Sequence, residues 1–351
     1  MTTDKMFNSK KLYFPAEWEP SRAVLMAWPH EATDWNYMLD DVQKCFVDIV
    51  SAIVRHSSMI IVAPDVDEPK KIIKEVIGDD IDKITFVQLP TNDTWARDFG
   101  PITLIEADQP FGNPTYLDFK FNGWGLKFAA DKDNLVTSRL CNEGILKGDY
   151  VNCLGFVMEG GSIETDGKGT LLTTSRCLLS PNRNGDMSRA EIEDYLKSRL
   201  NINHILWLEH GYLAGDDTDS HTDTLARLAP DDTIVYVSCD NPDDEHFEEL
   251  KLMELELRKF RTQSGQPFNL VALPMPDPIF EDEERLPATY ANYLVLNHAV
   301  LMPVYGQKAK DKLASQIIKI AYPDHEIVTI DCNALIRQHG SLHCMTMQIP
   351  F

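Results

Sequence analysis

The sequence predicts an α/β fold in a single domain over residues 1–351. Three features carry that prediction: short β-type runs recurring along the chain, amphipathic stretches of helical period between them, and no long Gly/Ser or Pro linker to divide it. The first run, AVLMAWP (23–29), is continuously apolar and closed by proline, as a strand buried on both faces would be. YMLDDVQKCFVDIVSAIVRH (37–56) then places apolar residues at helical spacing, and SMIIVAP (58–64) returns to strand. PITLIE (101–106) and GTLLTTS (169–175) are further strands, the former opening on a proline, which the first position of a strand tolerates. SRAEIEDYLKSRL (188–200) reads as a helix with Ser188 as N-cap and Glu191 completing a capping box. DTIVYVS (232–238), HFEELKLMELELRKF (246–260), NYLVLN (292–297) and QKAKDKLASQIIKI (307–320) repeat the alternation. Periodicity alone fits a doubly wound sheet or a closed ring of similar units.

Composition narrows the class of partner. The 43% apolar content of a 351-residue chain is enough for a large core. Against 33 basic residues stand 55 acidic ones, and the net charge of −22 repels nucleic-acid phosphates and anionic lipid while drawing in small cations. No nucleic acid and no membrane partner is expected. The most apolar region, 293–305, is interrupted by Asn297 and His298 and is far shorter than the roughly 20 residues that span a bilayer. The N-terminal segment MTTDKMFNSKKLYFPAEWEP lacks the apolar stretch of an export signal. The seven cysteines are an odd number, widely spaced and without a C-x-x-C pair, so neither a disulfide framework nor a zinc site is indicated. Reduced thiols, a cytoplasmic location, no metal and no cofactor are the expectation.

Chemistry concentrates in four segments: NDTWARDFGP (92–101), MEGGSIETDG (158–167), GDDTDSHTDT (215–224) and HGSLHCMTMQIPF (339–351). Cys344 alone would pass for a buried filler thiol, and each aspartate alone for a turn residue. Together the segments supply a nucleophile, a base and several carboxylates, a set suited to covalent chemistry on a cationic carbon.

FPAEWEPSRAVLMAWPH (14–30), TWARDFGP (94–101), FNGWG (121–125), MEGGSIETDGKGTLLTT (158–174), HTD (221–223) and SLHC (341–344), in register over nearly the whole chain, resemble the agmatine deiminase branch of the guanidine-modifying enzymes. The resemblance implies a pentein α/β propeller, five ββαβ units with pseudo-fivefold symmetry around a central active-site channel, and suggests a homodimer. It implies Cys344 as nucleophile, His221 as general acid and base, Glu159 as the residue orienting His221, and Trp95 as a pocket wall. Trp124 is placed at the entrance, and Asp217 is placed to meet the amine of the substrate tail. Asp98 and Asp223 are assigned the guanidinium, because a carboxylate matches one guanidinium edge with two parallel hydrogen bonds and two carboxylates fix its plane.

Ser220 and Thr222 in DDTDSHTD, and HGSLHC without a glycine run, depart from the family pattern in loops around the substrate tail. Agmatine is the first substrate expected, with free or peptidyl arginine as the rival. The loops 215–224 and 339–351 contain no Lys or Arg to neutralise an α-carboxylate, which leaves Arg97 as the main cation near the acids. A non-enzymatic pentein binding module would have no reason to keep the full set of acids, histidine and cysteine. A papain-like hydrolase normally carries its cysteine before its histidine, the reverse of the order here. An amidinotransferase would share the covalent step and differ in the acceptor.

Overall fold

The computed structural model describes residues 11–109 and 111–351. The first ten residues of the N-terminal segment read above against an export signal lie outside them. Five small sheets repeat one pattern, an antiparallel pair followed by a parallel strand reached through a helix. Such a crossover is what a parallel neighbour demands, since a tight turn cannot connect parallel strands.

In sheet I, Ser21–Ala27 pairs antiparallel with the C-terminal strand Met347–Pro350 and parallel with Ser58–Ala63, across helix Leu39–Ile53. A second helix, Asp67–Ile77, adds the parallel strand Ile84–Gln88. Sheet II joins Ile102–Glu106 to Thr115–Lys120 and Asp149–Val157, with helix Val136–Asn142 in the crossover. Sheet III joins Ile163–Thr165, Thr170–Thr174 and His204–Leu208 around helix Arg189–Leu200, whose capping box between Ser188 and Glu191 forms in full. Sheet IV joins Ala226–Ala229, Thr233–Ser238 and Asn269–Pro274 around Phe247–Leu257. Sheet V joins Leu294–Val295, Ala299–Val304 and Glu326–Asp331 around Lys308–Ala321.

One predicted element changes character. The run 292–297 forms only the short strand Leu294–Val295, and the longer strand is Ala299–Val304. Asn297 falls in the connection between the two strands and uses its amide to accept from Ser21 N at 2.8 Å and donate to Ser21 O at 2.9 Å, tying sheet V to sheet I. A continuous apolar run is thus a hairpin, and its polar residues mark the turn. The buried apolar residues form one cluster that draws on all five sheets, including Val24, Leu117, Leu172, Val235 and Leu301. Among the described residues no helix is long and apolar enough to cross a membrane.

Candidate active site

The repeat dictates where the chemistry gathers. Asp98, Glu159, Asp223, Asn292 and Cys344 each stand a few residues ahead of the first antiparallel strand of a sheet, those strands beginning at Ile102, Ile163, Ala226, Leu294 and Met347. Five segments far apart in sequence occupy equivalent positions, and all five residues are buried. Asp98 and Asp223 meet His221 at Gly161: a Cβ there would lie 2.7 Å from His221 Nδ1, 2.9 Å from Asp98 Oδ1 and 3.0 Å from Asp223 Oδ2. Only glycine fits between these three groups.

Asp98 sits on the short helix Ala96–Phe99 and accepts from Trp124 Nε1 and from Gly161 N, both at 2.9 Å. Burial, reinforced by the neighbouring Asp223, pushes its carboxyl well above the usual range. Asp223 accepts from His343 Nδ1 at 2.8 Å through Oδ2, whereas its Oδ1 is buried with no hydrogen-bond partner. Burial would raise this carboxyl too, but the hydrogen bond and charge of His343 outweigh it and hold Asp223 below the carboxylate norm. Cys344 Sγ lies 3.7 Å from Asp223 Oδ2 and 3.3 Å from Asn292 Nδ2. Burial first, then Asp223 and Asp98, push its thiol well above the ordinary value.

His221 lies 3.7 Å from Asp98 through Nδ1, and neither ring nitrogen has a hydrogen-bond partner. Burial holds it at about 3 even though Asp223 pulls the other way, so the ring is a neutral imidazole near pH 7. The expected orienting contact from Glu159 is not a hydrogen bond. Both Glu159 oxygens accept from Arg183 Nε, at 2.9 and 3.0 Å, and Glu159 touches His221 only as part of a cluster with Cys177 whose donor atoms lie within 4.8 Å of one another. Arg183 continues to Asp219 Oδ2 at 2.6 Å and to the Thr218 carbonyl at 2.8 Å, fixing the loop that presents His221.

Asp98 and Cys344 open onto a cavity of about 350 Å³ whose wall also includes Trp95, Trp124 and Asp217, while Glu159, His221, Asp223 and Asn292 lie behind that wall. Trp95 packs across the backbone of Gly340, where any Cβ would collide with its ring, and stands edge to face with Trp124 at 6.0 Å. Trp124 occupies the left-handed region at φ 54°, between Gly123 and Gly125 which are also left-handed, so the turn holding the Asp98 donor is strained. Asp217 is pushed up to about 6, chiefly by burial and then by Asp216. The two loops expected to be free of cations are free of them, yet Lys127 and Lys132 reach the cavity wall from a third loop. Lys127 is bound to Asp219 Oδ1 at 2.9 Å and to the Asp217 carbonyl.

Arg97 turns away from Asp98. It binds Glu17 Oε1 at 2.9 Å and reaches Gln348, inside a second charged cluster beneath the site that contains Glu17, Glu164, Arg227 and His343. Among the described residues two groups bring metal-ligating atoms together, Glu159 with Cys177 and His221, and Glu17 with Glu164 and His343. In each, an arginine already pairs the carboxylates: Arg183 in the first and Arg227 in the second.

Asn292, Arg183, Glu17 and Arg227 were not singled out from sequence. Asn292 opens the predicted strand run 292–297. The signal that could have found it is positional, since it precedes the first strand of sheet V as Cys344 precedes that of sheet I.

Residues 13–350 match the model of the Porphyromonas-type peptidyl-arginine deiminase family. A protein of Marinomonas sp. named putative agmatine deiminase is 32% identical over 360 residues, covering 96% of this chain and 94% of that protein. A solved structure from Porphyromonas gingivalis described as a putative arginine deiminase is 50% identical with a TM-score of 0.90, covering 97% of this chain and 98% of the other. The C. jejuni agmatine deiminase with substrate bound is 36% identical with a TM-score of 0.88, covering 97% and 96% respectively.

Proposed function

Because the chain belongs to the Porphyromonas-type peptidyl-arginine deiminase family, we propose that it hydrolyses the guanidinium of agmatine to N-carbamoylputrescine and ammonia. The observation that carries this reading is the convergence of two carboxylates and a neutral imidazole around Gly161, with the buried Cys344 thiol 3.7 Å from Asp223 and, like Asp98, in the wall of a cavity rich in aspartate. A guanidinium carbon is resonance-stabilised, and attack requires its N–H groups to be gripped and a nucleophile placed over its plane. Asp98 and Asp223 supply the grip and Cys344 the sulfur. In the free protein burial, and after it the two acids beside the thiol, oppose its ionisation. A bound cation cancels that opposition, so the thiolate forms where a substrate is present. His221 takes the thiol proton and passes it to the departing ammonia as the Cys344 sulfur becomes part of a thiouronium; it then deprotonates the water that releases the ureido product. Glu159 acts on His221 through the electrostatics of its pair with Arg183. Trp95 offers a face to the cation or the methylene chain, Trp124 a donor to Asp98, and Asp217 a carboxylate to the terminal ammonium.

We further propose that the five sheets stand as a pseudo-fivefold propeller around this site, in one catalytic domain that works without metal or cofactor in the cytoplasm, as a homodimer. The recurring strand pattern supports the propeller, and the family resemblance supports the rest.

Incubating the purified protein with agmatine, free arginine and a blocked arginyl peptide, with ammonia and ureido product followed, tests the reading. Agmatine should exceed free arginine in kcat/KM by roughly 100-fold, the ratio given by about 3 kcal/mol of differential electrostatics. Comparable turnover of arginine would move the arginine-directed activity named in the family description to first place.

A further inference from the structure

The two carboxylates assigned to the guanidinium are held in different ways. Asp98 receives one protein donor on each oxygen. Asp223 receives its nitrogen donor, His343 Nδ1, on Oδ2, while Oδ1 is buried and unpartnered. An ionised carboxylate only accepts hydrogen bonds, so Nδ1 of His343 must carry a proton.

The His343 ring is itself pinned. Its Nε2 lies 2.6 Å from Glu17 Oε1 and 3.0 Å from Arg227 Nη2. Glu17 is fixed by Arg97 at 2.9 Å and Arg227 at 2.7 Å. Arg227 in turn donates to Glu164 and to the carbonyls of Ala291 and Tyr293 at 3.0 and 2.7 Å, with the Tyr293 ring 4.6 Å from its guanidinium carbon. The His343 backbone N–H donates to Asn292 Oδ1 at 2.9 Å. A ring held on both edges and at its backbone cannot turn away from Asp223.

We propose that His343 is a positioning residue: it locks Asp223 Oδ2 so that Oδ1 stays free and aimed to accept an N–H of the substrate guanidinium. The assignment rests on the guanidine-directed reading above. It gives a reason for a histidine beside the nucleophile that is distinct from acid–base catalysis, which falls to His221.

The test compares His343→Asn, whose amide nitrogen falls near the place of Nδ1, with His343→Gln, whose amide reaches toward Glu17 and leaves Asp223 without its donor. The readout is alkylation of Cys344, followed by mass spectrometry, using chloroacetamidine, a planar cation, and its neutral counterpart chloroacetamide. Unmodified protein should prefer the amidine. His343→Gln should lower that preference by roughly 100-fold, the scale of losing a charge-assisted hydrogen bond and its geometry, and His343→Asn should stay within about 10-fold of the unmodified protein. A merely structural histidine would lose equally in both variants. Full preference in His343→Gln, or equal loss in both, overturns the assignment while leaving the guanidine reading intact. No amidine preference in the unmodified protein overturns both. Because a variant in this network can fail to fold, ¹⁵N-histidine spectra of the unmodified protein provide an independent check: a protonated Nδ1 on His343 supports the assignment and a bare one refutes it.

Discussion

The approaches to the first strands and the strands themselves make opposite uses of the same repeat. Just ahead of those strands stand Asp98, Glu159, Asp223, Asn292 and Cys344, and here buried polar atoms are left without partners, namely Asp223 Oδ1 and both ring nitrogens of the neighbouring His221. At the second residue of three of the same strands stand Glu164, Arg227 and Gln348, and here carboxylates and guanidiniums pair with one another, with Glu17 and with Arg97. A buried polar group without a partner costs free energy, so it persists where the fold supports it from behind. The paired layer provides that support: His343 spans the two, with Asp223 on one edge and Glu17 on the other. On the proposed function, the unpaired layer carries binding and chemistry and the paired layer fixes their geometry.

The comparison breaks most sharply at Cys344, the proposed nucleophile. Cys344→Ser should reduce turnover by roughly 10⁴-fold or more while agmatine binding, measured by calorimetry, survives, since the substitution leaves Asp98 and Asp223 in place. Retained turnover would show that the thiol is not the attacking group.

The rear layer should respond in stability. Arg227→Met leaves the buried Glu164 without its cation and Glu17 with Arg97 alone, and should cost about 3–5 kcal/mol in denaturant unfolding. A cost below about 1 kcal/mol would mean that the network is not a structural support.

Gly161→Ala tests the crowding at the front. The added methyl would press on His221, Asp98 and Asp223 together, and kcat/KM should fall by roughly 100-fold with little change in the unfolding midpoint. Near-normal activity would show that the three groups have more room than their distances indicate.

The neutrality of His221 sharpens the contrast through pH. Burial depresses this histidine to about 3, below its unfolded value of 6.5, so the unfolded chain binds a proton that the folded chain refuses. Its contribution to stability is therefore present above pH 6.5 and is lost as pH falls toward 3. Relative to His221→Gln, the unmodified protein should lose roughly 2 kcal/mol between pH 6.5 and pH 5, read from paired denaturation curves. A constant difference across that range would mean that His221 is not held neutral.

The smallest effect belongs to the cavity mouth. Asp217→Asn should narrow the preference for agmatine over arginine by about 10-fold and leave the rate of the chemical step alone. An unchanged preference would assign the substrate tail to another of the aspartates lining the cavity.

The sequence by itself determined the alternation of strands and helices, the capping box at Ser188, and the residue types that chemistry at a guanidinium carbon requires, because periodicity, capping and side-chain chemistry are local properties. Tertiary structure alone decided that Arg97 faces Glu17 and turns from Asp98, that Arg183 claims Glu159 before His221 can, and that Lys127 and Lys132 reach a cavity whose loops 215–224 and 339–351 carry no Lys or Arg. It also decided that Asn292 contacts the Cys344 sulfur and that the apolar run after it folds back as a hairpin. These outcomes depend on which of several competing partners lies nearest once five distant segments converge. Distance along the chain carries no record of that, since the strands that bring the segments together are set by pairing across sheets.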